Sequence, residues 1–188
     1  MTTTALKLRT VLAIAGAAVL FAVPAFAGDD IFLKLQDIQG DSTDEAHRGE
    51  IRVQSYSQSV QNSATFGTGG ASAGKATCGD IVITKTIDKS SPGLIMKVLT
   101  GASIPTGTLS FRRAGSERRG PDYYTVQLTD IRVNAVEQSS ATTSDVGVVE
   151  LIRLKVRQFR LTYYSQLPDG SLGAPQTFAF DCASGGRF

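Results

Sequence analysis

One histidine, His47, and two cysteines, Cys78 and Cys182, are the most reactive side chains of this 188-residue sequence outside its carboxylates and amines. They make a poor metal set, because the cysteines form no CxxC pair and a single histidine cannot complete the usual four ligands. His47 lies in the polar run Gly40-Asp-Ser-Thr-Asp-Glu-Ala-His-Arg-Gly49, which reads as a long exposed loop, and no G-x-S-x-G elbow supplies a serine for it to activate. Asp41, Asp44 and Glu45 of the same run lack the further oxygens that complete a calcium loop. Gly69-Gly-Ala-Ser-Ala-Gly-Lys75 fits the first seven positions of a phosphate-binding loop. Ala76 stands where a Ser or Thr would hold magnesium, however, and a strand follows instead of a helix, so the segment reads as a glycine-rich connection. The expectation is no catalytic residue, no cofactor and no metal. Only a hydrolase working with two carboxylates would escape notice, since their separation is invisible in sequence.

The compartment follows from the first 27 residues. Lys7 and Arg9 precede an uncharged apolar run over 10–23, then Pro24 and the small-x-small triplet Ala25-Phe-Ala27, the layout of a secretory signal peptide. The run is shorter than the roughly 20 residues of a membrane span. Cleavage after Ala27 predicts a single domain over 28–188, exported to the periplasm or beyond, with no stable membrane insertion. Of 19 Lys and Arg against 17 Asp and Glu, two basic residues fall in the leader, leaving a neutral product unsuited to nucleic acid. In an oxidising compartment Cys78 and Cys182 are expected to pair. A bridge within one chain would close a loop of about 100 residues, with a stabilisation on the order of 4–5 kcal/mol. Two separate buried thiols, or a bridge between two chains, are the alternatives.

Hydrophobic residues at 41% suffice for a globular core and are too many for a disordered chain. Period-2 alternation marks strands at 31–38 and 51–56, with a third at 80–87 around Ile81, Ile83 and Ile87, and more at 108–113, 123–136, 148–164 and 176–181. Inside the two longest, Tyr124, Val126 and Leu128 are out of phase with Ile131 and Val133, and Ile152, Leu154 and Val156 with Phe159 and Leu161. Such a change of face predicts a bulge or bend, the device by which a sheet curls into a barrel. One helix is expected over about 91–100, with Ser91 as N-cap, Pro92 in the first helical position and Gly101 ending it. Leu94, Ile95, Val98 and Leu99 should pack on the sheet.

Charge is concentrated in two places. Arg153, Lys155 and Arg157 share the strand face opposite Ile152, Leu154 and Val156, and Asp41, Asp44, Glu45 and Glu50 cluster in the polar run. The basic stripe is either a solvated, solubilising edge or one side of an interface, and acids and bases divided in this way within a neutral chain suit contacts between copies. Arg112, Arg113, Arg118 and Arg119 add a basic turn.

Read in order, Asp30-Ile-Phe-Leu-Lys-Leu-Gln-Asp-Ile-Gln-Gly40, Ile51-Arg-Val-Gln-Ser-Tyr-Ser57, the glycine-rich loop into Lys75, Ile83-Thr-Lys-Thr-Ile-Asp-Lys-Ser-Ser-Pro-Gly-Leu94 and Phe111-Arg-Arg-Ala-Gly115 resemble the haemolysin-coregulated protein (Hcp) family, the inner-tube proteins of bacterial type VI secretion. The resemblance covers nearly all of 28–188 and is most specific at 83–94. It implies a mainly β fold, a compact β-barrel of two antiparallel sheets with one flanking helix. It further implies a homohexameric ring able to stack into tubes, with small effector proteins in its lumen and other components of the type VI apparatus as partners. By position, the 41–50 run resembles the family's extended loop that touches a neighbouring subunit or ring, and Ser57 falls on a lumen-facing strand. The leader and the cysteine pair depart from that pattern. An exported β-barrel module that acts alone on a host or envelope ligand is the alternative.

Overall fold

The computed structural model describes residues 28–67, 70–72, 74–113, 120–140 and 147–188. The proposed leader at 1–27, Thr68, Gly69 and Ala73 of the glycine-rich connection, and the basic turn at 114–119 lie outside the described residues.

Among the described residues, eleven strands and one helix follow in chain order: β1 (Asp30–Leu35), β2 (Ile51–Val53), β3 (Ser55–Asn62), β4 (Thr65–Gly67), β5 (Gly70–Ser72), β6 (Ala76–Thr86), α1 (Ser91–Thr100), β7 (Ile104–Arg112), β8 (Asp122–Ser140), β9 (Val148–Gln166), β10 (Leu172–Asp181) and β11 (Gly186–Arg187). The mainly β architecture with one helix is the expected one. All but β4 and β5 belong to a single antiparallel sheet with the path β11-β10-β9-β8-β7-β1-β2, onto which β6 joins through β9 and β3 joins through β6. The sheet curls but is not closed by a continuous ladder: β2 pairs with β1 and β3 with β6. Gln54 connects β2 to β3, and its N–H reaches Thr84 O of β6 at 2.7 Å.

The change of face inside the two long strands is real, and its form differs from a bulge. Leu128 stands opposite Phe159, Thr129 opposite Gln158 and Ile131 opposite Val156, so the register is unbroken across the switch. Asp130, with a left-handed φ of 51°, bends β8 there, and β9 changes face at the same level. The ladder itself shifts only later, between Val133 and Ala135.

A second consequence of the curl is a fork. Along one edge, β9 pairs with β6 from Val149 to Leu154 and with β10 from Gln158 onward. Beyond that change of partner the outer end of β6, carrying β3 with it, leaves the ladder as a two-stranded arm. Cys78 on the arm is bonded to Cys182 just past β10, at a Cα separation of 5.8 Å. The bridge in this structure lies within one chain.

Ile51, Ile81, Ile83, Ile104, Leu109, Val126, Ile131, Ile152 and Leu154 fill the core, all inaccessible to solvent. Helix α1 starts at Ser91 with Ser90 as N-cap, one residue before the expected cap, and Gly101 ends it with φ 66°. Its apolar face is narrower than expected. Leu94 is fully buried and Val98 packs against the core, whereas Leu99 is 76% exposed and Met96 58%. Leu94→Ala is therefore expected to cost about 2–5 kcal/mol and Leu99→Ala less than about 0.5 kcal/mol, read from urea unfolding midpoints. Equal losses would place Leu99 in a buried contact.

Candidate functional site

The acidic run at 41–50 is a compact loop, closed at its base by Gly40. A Cβ on Gly40 would meet Glu50 O at 2.3 Å and Ile51 Cα at 2.5 Å, so only glycine lets the two ends run this close. The Gly40 N–H donates to Gly49 O at 2.8 Å and the Ser42 N–H to Glu50 O at 3.0 Å. Asp44 Oδ1 accepts the Ala46 and His47 amides at 3.0 and 3.2 Å.

The same carboxylate receives the Arg112 guanidinium of β7, with Nη1 at 3.2 Å and Nη2 on the other oxygen. Arg112 is itself buried, lying 5.2 Å from the Phe32 ring centre and 3.6 Å from Asp30 Oδ2. The Arg112 hydrogen bond is the main reason that the Asp44 carboxyl is lowered from 3.8 to about 2. A depressed carboxyl contributes stability above its unfolded pKa, and that contribution is lost as pH falls through the folded one. The wild type should thus lose on the order of 1 kcal/mol from this pair between about pH 4 and pH 2, after allowance for solvent screening. Asp44→Asn should lack that part of the acid dependence of Tm; an identical acid slope in the variant would contradict the assignment.

His47 corrects the expectation of a solvated loop residue. It is 6% exposed and stacks on Phe32 with ring centres 4.2 Å apart and planes at 11°. Its Nδ1 lies 2.9 Å from Glu50 Oε2 and its Nε2 3.1 Å from Asp122 Oδ1. The loop is thus latched over the outward face of β1. The sequence carries the reason: Phe32 is out of phase with Leu33 and Leu35, and this apolar side chain on the second face needs a cover.

Of the other acids singled out from sequence, Asp41 stays exposed and pairs with Lys89 at 3.5 Å, and Glu45 is on the exposed side of the loop. On β9, Arg153 reaches Glu137 at 3.3 Å, Lys155 lies 3.7 Å from Asp80 and donates to Cys78 O at 2.8 Å, and Arg157 lies 3.7 Å from Asp181. The stripe is accordingly balanced by acids of its own sheet and stays 43–58% exposed. The fold does not bring it to the acidic loop within one chain: Asp41, Asp44 and Glu50 take Lys89, Arg112 and His47 instead. Ser57 is exposed on β3, opposite Val82.

A polar cluster that sequence reasoning passed over lies beneath the helix. Lys85 and Glu150 are both inaccessible, with Lys85 Nζ 2.6 Å from Glu150 Oε2 and 2.7 Å from Asp88 Oδ1. Lys85 also donates to Thr86 O and Ser91 Oγ at 3.0 Å each. Ser91 Oγ in turn donates to Glu150 Oε2, and Gln138 Nε2 to Oε1, both at 2.7 Å. Burial pushes the Glu150 carboxyl up, but the hydrogen bonds from Lys85, Gln138 and Ser91 outweigh it and hold the group below its ordinary value. Every member of the cluster is satisfied within the chain, so it fixes α1 to β6 and β9 and leaves no donor or acceptor for a substrate.

Among the described residues no group of three or more His, Cys, Asp or Glu side chains is placed to hold a metal ion. No helix there is long and apolar enough to cross a membrane. The arrangement is one of latches and staples, with the acidic loop and the basic stripe left accessible.

Known proteins share this fold. The family profile described as "Type VI secretion system effector, Hcp" matches residues 32–165. Protein hcp1 of Pseudomonas aeruginosa is 32% identical over 154 residues, spanning 81% of this chain and 94% of the relative. The crystal structure of Hcp1 from Salmonella typhimurium superposes with a TM-score of 0.72 at 26% identity, over 86% of this chain and all of the other. A solved type six secretion system protein shares the fold at a TM-score of 0.80 and 22% identity, again over 86% of this chain and 100% of that one.

Proposed function

The chain belongs to the Hcp family of type VI secretion proteins, and from that premise we propose that it is a ring-forming structural subunit, six to a ring, without catalysis of its own. The observation that carries the reading is the family match over residues 32–165, with the fold shared along the whole length of the solved relatives. In this reading the rings stack, the lumen takes small effector proteins, and components of the type VI apparatus are the remaining partners. The leader at 1–27 directs the chain across the inner membrane, and the domain over 28–188 is the exported product.

The two charged surfaces divide the work between copies. Asp41 and Glu45 are exposed on a loop that Arg112 and His47 hold rigid, so its acids meet a neighbour with little ordering left to do. Arg153, Lys155 and Arg157 keep roughly half of their surface free despite their partners, and a neighbour's carboxylates can displace or join Glu137, Asp80 and Asp181. Ser57 faces the lumen.

Negative-stain electron microscopy of the purified protein tests this, with rings of sixfold symmetry as the expected result. The triple variant Arg153→Glu, Lys155→Glu, Arg157→Glu should lose those rings while keeping its fold, because like charges now face each other across the contact. Intact rings in the triple variant would remove the stripe from the interface. Featureless single-subunit particles in the wild type would favour the exported module that acts alone.

A further inference from the structure

The fork in the sheet leaves an apolar cleft that the ring reading does not use. Where the arm of β3 and β6 lifts away from β9, a wedge of about 370 Å³ opens between the arm and the face of β9 and β10. Its floor is aromatic: Phe159, Phe178 and Phe180 stand with ring centres 6.2–6.3 Å apart. Leu161 extends the floor, and Val60 and Cys78 line the arm side. Because Cys78 is bonded to Cys182 beside β10, the width of the wedge is fixed by a covalent bond. Val60 at 64% and Phe178 at 39% exposure show that the chain itself does not fill it.

Among the described residues no charged side chain lines this cleft, and one cation stands beside its aromatic floor. Arg187 stands opposite Phe180 in the β10–β11 pair, and its guanidinium lies 5.3 Å from the centre of the Phe178 ring. Among the described residues Arg187 has no carboxylate partner.

We propose that the cleft is a binding site for an aliphatic carboxylate, with the alkyl chain on the Phe159, Phe178 and Phe180 floor and the carboxylate on Arg187. A wedge of this size falls in the range of small-molecule sites, which combine a mostly apolar lining with a few placed polar groups. A planar guanidinium already held on an aromatic face presents its edge to a carboxylate, and that bidentate contact supplies the selection for an anionic head.

The test is isothermal titration calorimetry of the oxidised full chain with decanoate, and with decanol as the uncharged probe. Decanoate should bind one per chain and about 10-fold more tightly than decanol. Arg187→Gln should erase that preference while leaving decanol binding unchanged, and Phe178→Asp should abolish both. Equal affinity for the two probes, no decanoate binding up to about 1 mM, or an unaltered preference in Arg187→Gln would each overturn the proposal. So would a Phe178→Asp variant whose rings dissociate when the wild type takes up no decanoate, because the cleft is then a contact between copies. Ring formation is scored separately by microscopy, so failure here leaves the subunit reading standing.

Discussion

Glu150→Gln should destabilise the protein by about 3–5 kcal/mol, the largest loss expected from a single polar substitution. Lys85 and Glu150 are both inaccessible to solvent at 2.6 Å from each other, so removing the carboxylate charge leaves an ammonium ion in the core with Asp88 as its only ionised partner among the described residues. The cost comes from desolvation that nothing now offsets, rather than from the attraction alone. For that reason the double variant Lys85→Met, Glu150→Leu should recover part of the loss, since two apolar side chains of similar volume carry no desolvation penalty of their own, while Asp88, Ser91 and Gln138 lose partners. Urea unfolding of the two single variants and the double variant measures this directly. A loss below about 1 kcal/mol in Glu150→Gln would mean that water reaches the pair.

Cys182→Ser should have an effect of comparable size by a different route. The bridge joins residues 104 apart in sequence, and opening it frees that loop in the unfolded chain, worth on the order of 4–5 kcal/mol if the chain-entropy account holds. Thermal unfolding should show the same loss in the wild type under reductant as in the variant without it. Because the bridge lies within one chain, neither treatment should change the number of chains in the assembly. A bridge-free protein as stable as the oxidised one would show that tertiary packing alone holds the arm against β10.

Much of this was legible in the residues, and the gaps have physical causes. Period-2 alternation located the core strands, and the phase change inside the two longest marked the bend at Asp130. Alternation also held a signal that was passed over: Lys85 is in phase with Ile81 and Ile83, and Glu150 with Ile152 and Leu154, so both charges sit on the buried face. Two opposite charges in phase with core positions on paired strands point to a buried ion pair, and here they do pair. His47 was harder, because its burial depends on a loop folding back over Phe32, a contact 15 positions away that no periodicity reports. Leu99 failed in the other direction. A helix of 10 residues presents only a narrow stripe to the sheet, and the last of its apolar positions turns away from it. The fork at β9 needs the full pairing scheme, since strands that share an edge cannot be told apart by composition.

Light scattering on a size-exclusion column, with and without reductant, tests the central claim most directly. The account predicts a mass roughly six times that of one chain in both conditions, because Cys78 and Cys182 close within a subunit and the ring is held by contacts between copies. The mass of a single chain at high protein concentration would contradict it.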